Sequence, residues 1–460
     1  MISKNVQDAF INILSKKQVM SNEADRLNYA YDAAVLQPVL PALVIRPETG
    51  KQLGAAIALC NDNGIPVTVR GAGTNLSGGT IPEKNGVVVL TGAMNRILEI
   101  NEEDLYARVQ PGVVTAKLAA AVAAKGLFYP PDPGSQNVST LAGNVAENAG
   151  GLRGLKYGVT KDYVMGLDFF DPRGNLVSTG AKTVKCVTGY NLAGLMVASE
   201  GSLGIFNEII LKLIPPPQAS SAMMAIYDTV EAATETVAAV IAGKILPCTL
   251  EFLDNFTIRA VEDYAKAGLP VDAKALLLIE VDGHPAQVAE EAQKVAKICK
   301  KFGATKIQVA QNETEKNKIW EARRTALSAL ARLRPTLVLE DATVPRSRIP
   351  HMVRAIEALS SKYDLPIGTF GHAGDGNLHP TILTDKRDKN KWHRTEAVVA
   401  ELFDTALALG GTLSGEHGIG IAKSDFMVRE VGQASIDYAK KIKAAIDPKN
   451  IFNPGKIIGR

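Results

Sequence analysis

The sequence predicts an α+β protein built from two or three domains. Its 460 residues are too many for one hydrophobic core. Short runs rich in Val, Ile and Leu alternate with helix-length segments in both halves of the chain. Pro215-Pro216-Pro217 interrupts that alternation, because proline fixes φ and supplies no N–H to a sheet, and the pattern restarts after it. The expected segments are 1–216, 217–410 and 411–460.

The first 35 residues read as helical, with Phe10, Ile11, Ile13 and Leu14 as an apolar stripe. ALVIRPET is a strand closed by a turn. A helix follows over 50–63, with Leu53, Ile57, Ala58 and Leu59 inward. PVTVR, GVVVLTG and YARVQPG are strands, and 115–125 is an alanine-rich helix. Lys185 and Tyr190 of VKCVTGYNL read as strand-end residues with packing roles. Beyond the prolines, AMMAIYD, a helix over 230–242 and CTLEFLD make one strand–helix–strand unit. ALLLIEVDG, a helix over 286–302 and ATKIQVAQN make the next. VLEDATVP leads through a helix over 350–362 into a hairpin. These elements predict a sheet with helices on one face. The residues from Trp392 onward are mainly helical.

Bulk properties exclude several classes. Hydrophobic content of 46% with 22% charged residues fits a soluble globular chain. A net charge of +3 makes no case for nucleic acid. The four cysteines, Cys60, Cys186, Cys248 and Cys299, are scattered and form no CxxC, so no iron–sulfur site of the usual spacing is expected. Free thiols suit a reducing cytoplasm. The polar, amphipathic start MISKNVQDAFINIL is unlike a signal peptide, and no apolar run is long enough for a transmembrane helix.

Two glycine-rich stretches concentrate ionisable groups. In GTFGHAGDGNLHP, Asp375-Gly376 is a two-residue turn signal. Counting outwards from it opposes Gly374 to Asn377, Ala373 to Leu378 and His372 to His379. Opposed residues on one face have Cβ atoms about 4.5–5.5 Å apart, which suits two imidazoles on one metal ion. Asp375 and Asn377 suit the turn itself, and Asn377 is also counted as a candidate substrate contact. Downstream, LSGEHGIGIAK carries Glu416 and His417 among Gly415, Gly418 and Gly420. Three of the chain's six histidines lie in these two stretches.

Two further stretches suit a polyphosphate held by backbone N–H groups. GAGTNLSGG after PVTVR offers Gly71, Gly73, Gly78 and Gly79 with Thr74, Asn75 and Ser77. It fails as a dinucleotide fingerprint, since Leu76 stands where the third glycine belongs. PPDPGSQNVSTLAGNVAENAGG adds Ser135, Ser139, Thr140, Asn144, Asn148, Gly150 and Gly151.

RGAGTNLSGG, PPDPGS, LAGNVAENAGG and KTVKCVTGYNLAGLMVASEGSLGI together resemble the flavin domain of the vanillyl-alcohol-oxidase (p-cresol methylhydroxylase) superfamily. GHAGDGNLHP, SGEHGIG and IFNPGKII are similar to its 2-hydroxy-acid dehydrogenase branch, which includes glycolate oxidase flavin subunits, D-lactate dehydrogenases and D-2-hydroxyglutarate dehydrogenases. The likeness runs from about Pro41 to Gly459. It implies a two-subdomain FAD-binding domain of the p-cresol-methylhydroxylase type over 1–216. An α+β, ferredoxin-like substrate or cap domain would follow over 217–410, roofing the flavin. A C-terminal segment over 411–460 would pack back on the FAD domain.

The resemblance implies roles at matched positions. Arg70, Gly71, Ala72, Gly73, Thr74, Asn75, Gly78 and Gly79 would wrap the FAD pyrophosphate. Pro131, Asp132, Gly134 and Ser135 would lie along the flavin, with Gly143, Asn144, Asn148, Gly150 and Gly151 completing the pocket. Glu200, Gly201, Gly204 and Ile205 would hold the adenosine end, with Asn453 near the isoalloxazine. The first loop has no histidine, and Cys60 and Cys186 match no tether, so the FAD is expected to be non-covalent. The metal ligands would be His372, His379 and Glu416. This set suits zinc, with iron or manganese as alternatives. His417 would be the base and a substrate contact. Arg323 in IWEARRTALSAL would clamp the substrate carboxylate, with Arg324, Arg332 and Arg346 as neighbouring candidates.

Leu339 stands where D-2-hydroxyglutarate enzymes present a lysine, which favours lactate or glycolate over a dicarboxylate. D-2-hydroxyglutarate oxidation, a non-redox flavoprotein like alkyl-dihydroxyacetone-phosphate synthase, and a non-catalytic flavin-binding subunit are the competing readings. Without a nicotinamide fingerprint or cysteine cluster, electrons are expected to leave to a partner, an iron–sulfur subunit or an electron-transfer flavoprotein.

Overall fold

The computed structural model of the chain describes residues 2–459. The chain forms two compact units. The first runs to Gly150, resumes over Val159–Pro216 and closes with the residues from Glu416 onward. The second comprises Gly151–Gly158 and Pro217–Gly415.

Among the described residues the first unit holds nine strands: β1 (Val19–Met20), β2 (Leu43–Ile45), β3 (Val67–Arg70), β4 (Val87–Leu90), β5 (Ile97–Asn101), β6 (Tyr106–Val109), β7 (Val164–Phe170), β8 (Leu176–Gly180) and β9 (Ile205–Lys212). Four of them form a sheet ordered β1-β2-β4-β3, with β2, β4 and β3 parallel. Such strands are covered on both faces, which is why VVVL is apolar throughout. Val87 and Val89 join Leu43 and Ile45 under the helices Lys4–Ile13 and Gly50–Asp62, while Val88, Leu90 and Val44 face the other way.

The expected helical N-terminus is only partly so. Helices Lys4–Ile13 and Glu23–Leu27 flank β1, which pairs antiparallel with β2. The edge of β2 would otherwise present unpaired backbone groups. Gln18 reinforces the join through Nε2 to the Arg46 carbonyl at 3.0 Å.

The other five strands form an antiparallel sheet ordered β5-β6-β9-β7-β8. Ile209 and Leu211 of β9 bury against helices Thr115–Ala123 and Leu141–Glu147, and Phe170 and Ile205 join the core of the first sheet. Lys185 and Tyr190 do not pack as expected. The chain leaves β8 at Gly180, whose φ of 79° turns it away from the sheet, and Tyr190 is 94% exposed. The C-terminal residues return to this unit: Phe452 bridges Val67, and Asn453 N donates to the Val67 carbonyl at 2.8 Å.

The second unit is one antiparallel sheet of β10 (Ala219–Tyr227), β11 (Thr249–Asp254), β12 (Ala275–Gly283), β13 (Ala304–Val309), β14 (Thr336–Leu339), β15 (Ala342–Thr343), β16 (Ile367–His372) and β17 (Asn377–Thr384). The order is β13-β10-β12-β11-β16-β17-β14, with β15 also on β17. Helices cover both faces rather than one. Met223, Ala225, Leu277 and Ile279 lie under Val230–Ala242, Pro285–Lys301, Ile349–Tyr363 and Lys389–Ala408. Met224, Ile226, Leu276 and Leu278 lie under Asn255–Ala265 and Glu313–Ala331. Successive side chains point to opposite faces, so an uninterrupted run such as ALLLI needs cover on each. The unexpected helix Asn255–Ala265 starts at Asp254, whose side chain accepts from Thr257 N at 2.8 Å.

Candidate active site

The histidine hairpin differs from its expected register. β16 pairs with β17 through Phe370 with His379, Gly371 with Leu378 and His372 with Asn377. Ala373 to Gly376 form a four-residue connection, closed by Gly376 N to the His372 carbonyl at 3.1 Å. Gly376 has φ +91°, and a Cβ there would also strike the Val344 carbonyl. His372 and His379 are therefore diagonal rather than directly opposed. Opposed residues share a face, and so do residues two apart, so Phe370, His372, Asn377 and His379 all point the same way. The two imidazole centroids lie 5.1 Å apart at 89°, and each ring offers a nitrogen within 4.8 Å of one on the other.

The same face collects further polar groups. β11 pairs Phe252 with Gly371 and Leu253 with Phe370, which brings Glu251 opposite His372. Glu251 is fully buried; its Oε1 is 2.7 Å from His372 Nδ1, and its Oε2 accepts from Arg323 Nε. Arg323 reaches this point from helix Glu313–Ala331 and stacks over Phe370, 4.7 Å from the ring centroid. Burial alone would raise the Glu251 carboxyl. The charges and hydrogen bonds of His372 and Arg323 outweigh it and hold the group below its ordinary value. Asp341 precedes β15 and follows the register to His379, with a carboxylate oxygen within 4.8 Å of that ring. Ser414 Oγ donates to Asp341 at 2.7 Å.

Among the other arginines, Arg324 is exposed, Arg332 forms a surface pair with Asp263, and Arg346 is half-buried in a short turn. Asn377 is a buried strand residue rather than a turn former. Its side-chain Oδ1 has no hydrogen-bond partner among the described residues. Asp375 does serve the turn, accepting from Asn377 N at 3.3 Å.

In the first unit, Glu416 and His417 open a loop fastened by groups distant along the chain. Glu200 accepts from Ile419 N and Gly420 N, both at 2.7 Å. The Ser77 carbonyl accepts from Ile421 N and Ala422 N at 2.9 and 3.0 Å. Glu147 and Glu200 both approach Gly418, which has φ +83° and no room for a Cβ. Gly150 is equally constrained, because a Cβ on it would meet Glu416 Oε2 at 2.7 Å. His417 Nε2 lies 4.0 Å from Glu416 Oε1. Burial pushes the Glu200 carboxyl up to about 7, and burial together with the charge of Glu200 raises Glu147 well above its ordinary value.

The proposed flavin-binding stretches gather on the same unit. Asn453 Nδ2 donates to the Gly79 carbonyl at 2.9 Å and to the Glu200 carbonyl at 2.6 Å. Gly71 packs on Thr140, which caps helix Leu141–Glu147, so loop 70–79 lies against that helix. At Gly73, with φ +71°, a Cβ would strike the guanidinium of Arg70. Arg70 itself donates to the Tyr31 carbonyl at 2.6 Å. Asn75 donates to Asp32 at 2.8 Å, Asn144 to Thr115 at 2.8 Å, and Asn148 accepts from Lys161 N at 2.9 Å. Residues 131–135 sit beside the start of helix Thr115–Ala123, where the Gln136 carbonyl accepts from Ala116 N at 3.0 Å. Gly204 packs against Met196 and Phe169, and the Ile205 side chain belongs to the core. Gly151 lies in the second unit.

Residues 216–457 match the family described as FAD linked oxidases, C-terminal domain, and residues 41–180 match the FAD binding domain. The chain belongs to the FAD-linked oxidase family. It is 50% identical over 460 residues to glycolate oxidase subunit GlcD of Bacillus subtilis, covering 100% of this chain and 98% of that protein. It is 32% identical to D-lactate dehydrogenase of Anaerostipes hadrus, covering 99% and 98%. Among solved structures, p-cresol methylhydroxylase superposes with a TM-score of 0.82 at 17% identity, covering 99% of this chain and 96% of that one. Alkyldihydroxyacetonephosphate synthase superposes with a TM-score of 0.78 at 18% identity, covering 99% and 86%. These two likenesses establish the fold, which is the expected α+β arrangement with a p-cresol-methylhydroxylase-type FAD-binding domain.

In this FAD-linked oxidase, sequence reasoning missed Glu251, Asp341 and Glu147. The signal for Glu251 is in plain view: a carboxylate inside the apolar strand CTLEFLD must either face water or meet a cation. Glu147 carried no such signal, because it is the last residue of a short helix, Leu141–Glu147, where a polar side chain calls for no buried partner. No helix among the described residues is long and apolar enough to cross a membrane.

Proposed function

We propose that this flavoprotein oxidises a small D-2-hydroxy acid, D-lactate or glycolate, to the 2-oxo acid. The observation that carries the reading is Glu251, bonded to Arg323 on one side and His372 on the other. A guanidinium suited to a carboxylate thus neighbours an imidazole suited to a metal ion. A 2-hydroxy acid carries its carboxylate and hydroxyl on adjacent carbons and needs both kinds of partner. The names of the relatives, glycolate oxidase subunit and D-lactate dehydrogenase, support the same substrate class.

FAD, when bound, takes the hydride from the carbinol carbon. It would be held without a covalent bond by Arg70–Gly79, residues 131–135, the helix at Gly143 and Asn144, Asn148, Gly150, Gly151, the Glu200–Ile205 stretch and Asn453. The left-handed Gly73, Gly78 and Gly201 support that cradle, since such backbone leaves N–H groups open to an anion. The ligand set that the resemblance implies, His372, His379 and Glu416, would hold a divalent ion, which would supply Lewis-acid polarisation of the substrate hydroxyl. Zinc suits two imidazoles and a carboxylate, with iron or manganese as alternatives. His417 takes the hydroxyl proton on a ring nitrogen. Arg323 takes the substrate carboxylate, and Asn377 supplies an amide to its polar edge. Electrons leave to a partner protein in the cytoplasm, an iron–sulfur subunit or an electron-transfer flavoprotein. The word "subunit" in the relatives' name supports this, as does a chain whose four scattered cysteines build no relay.

An anaerobic panel of D-lactate, glycolate and D-2-hydroxyglutarate, followed at the flavin absorption bands, tests the reading. Bleaching by D-lactate or glycolate is expected. Fastest bleaching by D-2-hydroxyglutarate moves the substrate class, and no bleaching by any of them rejects the oxidation. Peroxide production as fast as dye reduction would replace the partner protein with oxygen.

A further inference from the structure

We propose that Glu251 is a positioning residue that fixes His372 as the Nδ1–H tautomer and orients Arg323 with the same carboxylate. The proposal rests on the metal reading above for its consequence, but not for its geometry.

The argument starts from what each group can donate. Arg323 is always charged and only donates, so its Nε–H must meet an acceptor, and it meets Glu251 Oε2. That ion pair, at a fully buried carboxylate, sets Glu251 as the charged partner of the guanidinium. An ionised carboxylate only accepts. The 2.7 Å contact between Glu251 Oε1 and His372 Nδ1 therefore places the proton on Nδ1. In water the neutral ring is free to carry its proton on either nitrogen; here one nitrogen is committed, and Nε2 keeps its lone pair for a metal ion.

The strand register makes this arrangement rigid. Glu251 is opposite His372 in the antiparallel pairing of β11 and β16, so the two side chains leave a shared face from neighbouring backbones. Glu251 is 0% exposed and His372 is 7% exposed, which leaves neither ring nor carboxylate room to rotate. Arg323 is fixed from two sides, by Glu251 and by the Phe370 ring beneath it. Its bond to Glu251 uses Nε, and its two terminal nitrogens carry the remaining N–H donors. One buried carboxylate thereby sets the metal-facing nitrogen of His372 and the direction of the substrate-gripping guanidinium.

The first test needs neither metal nor substrate. Metal-free protein with FAD is labelled with 15N in its histidines and recorded well above the ordinary imidazole pKa of about 6.5. With six histidines in the chain, the His372→Gln variant identifies the His372 signals by their loss. The expected pattern has the proton on Nδ1 in the wild type; a proton on Nε2 overturns the proposal. This readout decides the Glu251 contact even if the metal reading falls. The second test uses Glu251→Gln, whose amide presents an N–H to one of its two former donors. Titration with Zn2+ is expected to show affinity about 10–100-fold weaker than wild type. KM for the hydroxy acid is expected to rise as Arg323 loosens, with FAD content unchanged. Zn2+ affinity and KM both equal to wild type would also overturn the proposal.

Discussion

The hairpin of β16 and β17 holds His372 and His379 by ladder bonds between neighbouring strands, whereas the loop from Glu416 to Ala422 is held by acceptors that arrive from far along the chain. In the hairpin, the pairings of Phe370, Gly371 and His372 fix the backbone, and β11 supports it from the other edge. In the loop, the Glu200 carboxylate catches two successive N–H groups, and the Ser77 carbonyl catches two more. Sheet pairing distributes position over many weak bonds. A loop whose N–H groups gather on two acceptors depends on each of them. Side-chain changes in the hairpin should therefore remove chemistry while leaving geometry intact. Changes around the loop should displace groups that are themselves untouched.

The largest effects test the hairpin's chemistry. His372→Ala and His379→Ala are each expected to lose bound metal and abolish measurable turnover while retaining FAD. Metal analysis and the flavin spectrum of the purified variants check this. Metal retained in either variant would remove that histidine from the ligand set. His417→Ala comes next, with kcat down by roughly 10²–10⁴-fold, the usual contribution of a general base. Its metal content should equal wild type; metal loss as severe as in His372→Ala would mean the roles of ligand and base are wrongly divided.

The same contrast explains what the sequence could and could not reveal. The hairpin was legible because strand parity is written in the order of residues: His372 and His379 share a face in the expected register and in the observed one. The turn was misplaced because Asp375-Gly376 is a strong two-residue signal, yet Gly376 closes a longer connection in front of Val344. The loop's glycines were legible as sites of close approach, but not what approaches them. Glu147 and Glu200 stand more than two hundred residues before Gly418, and nothing local to either end records the contact. Helices on both faces of the second sheet were foreshadowed by ALLLI, whose neighbouring positions cannot all point to one core.

Glu200→Gln tests the loop's dependence on one side chain. Glutamine keeps an acceptor for Ile419 N or Gly420 N but turns an N–H toward the other. Losing one charge-assisted hydrogen bond costs about 1.5–3 kcal/mol, so kcat is expected to fall about 10–100-fold as His417 loses its position. The variant also changes the pH dependence of stability. Glu200 has its folded pKa raised to about 7 by burial, against about 4.3 in an unfolded chain. The folded state binds this proton more tightly, so the group's contribution is fully present below about 4.3 and is lost as pH rises through about 7. Wild-type thermal stability should decline between about pH 5 and 8 more steeply than that of Glu200→Gln. Parallel profiles would show that Glu200 is not the titrating group.

Asp254→Asn is the matched change on the hairpin side and should have the smallest effect on activity. Asp254 accepts from Thr257 N at 2.8 Å, capping helix Asn255–Ala265, and from Thr369 N of β16 at 2.7 Å. It thus resembles Glu200 in having two backbone N–H partners, although the residue is half-buried, and desolvation of its carboxyl likewise pushes it up, to about 6. Asparagine caps a helix as well as aspartate does, so the helix start survives. The Thr369 N–H then faces a weaker acceptor or none, costing about 1–2 kcal/mol of stability. Thr369 cannot move far in response, because Phe370 and Gly371 remain paired on both sides, with β11 and with β17. The expected result is a lower melting temperature with kcat within about twofold of wild type, since a stability loss of this size need not displace a laddered strand. A kcat loss as large as that of Glu200→Gln would show that the hairpin, too, is positioned by a single side chain.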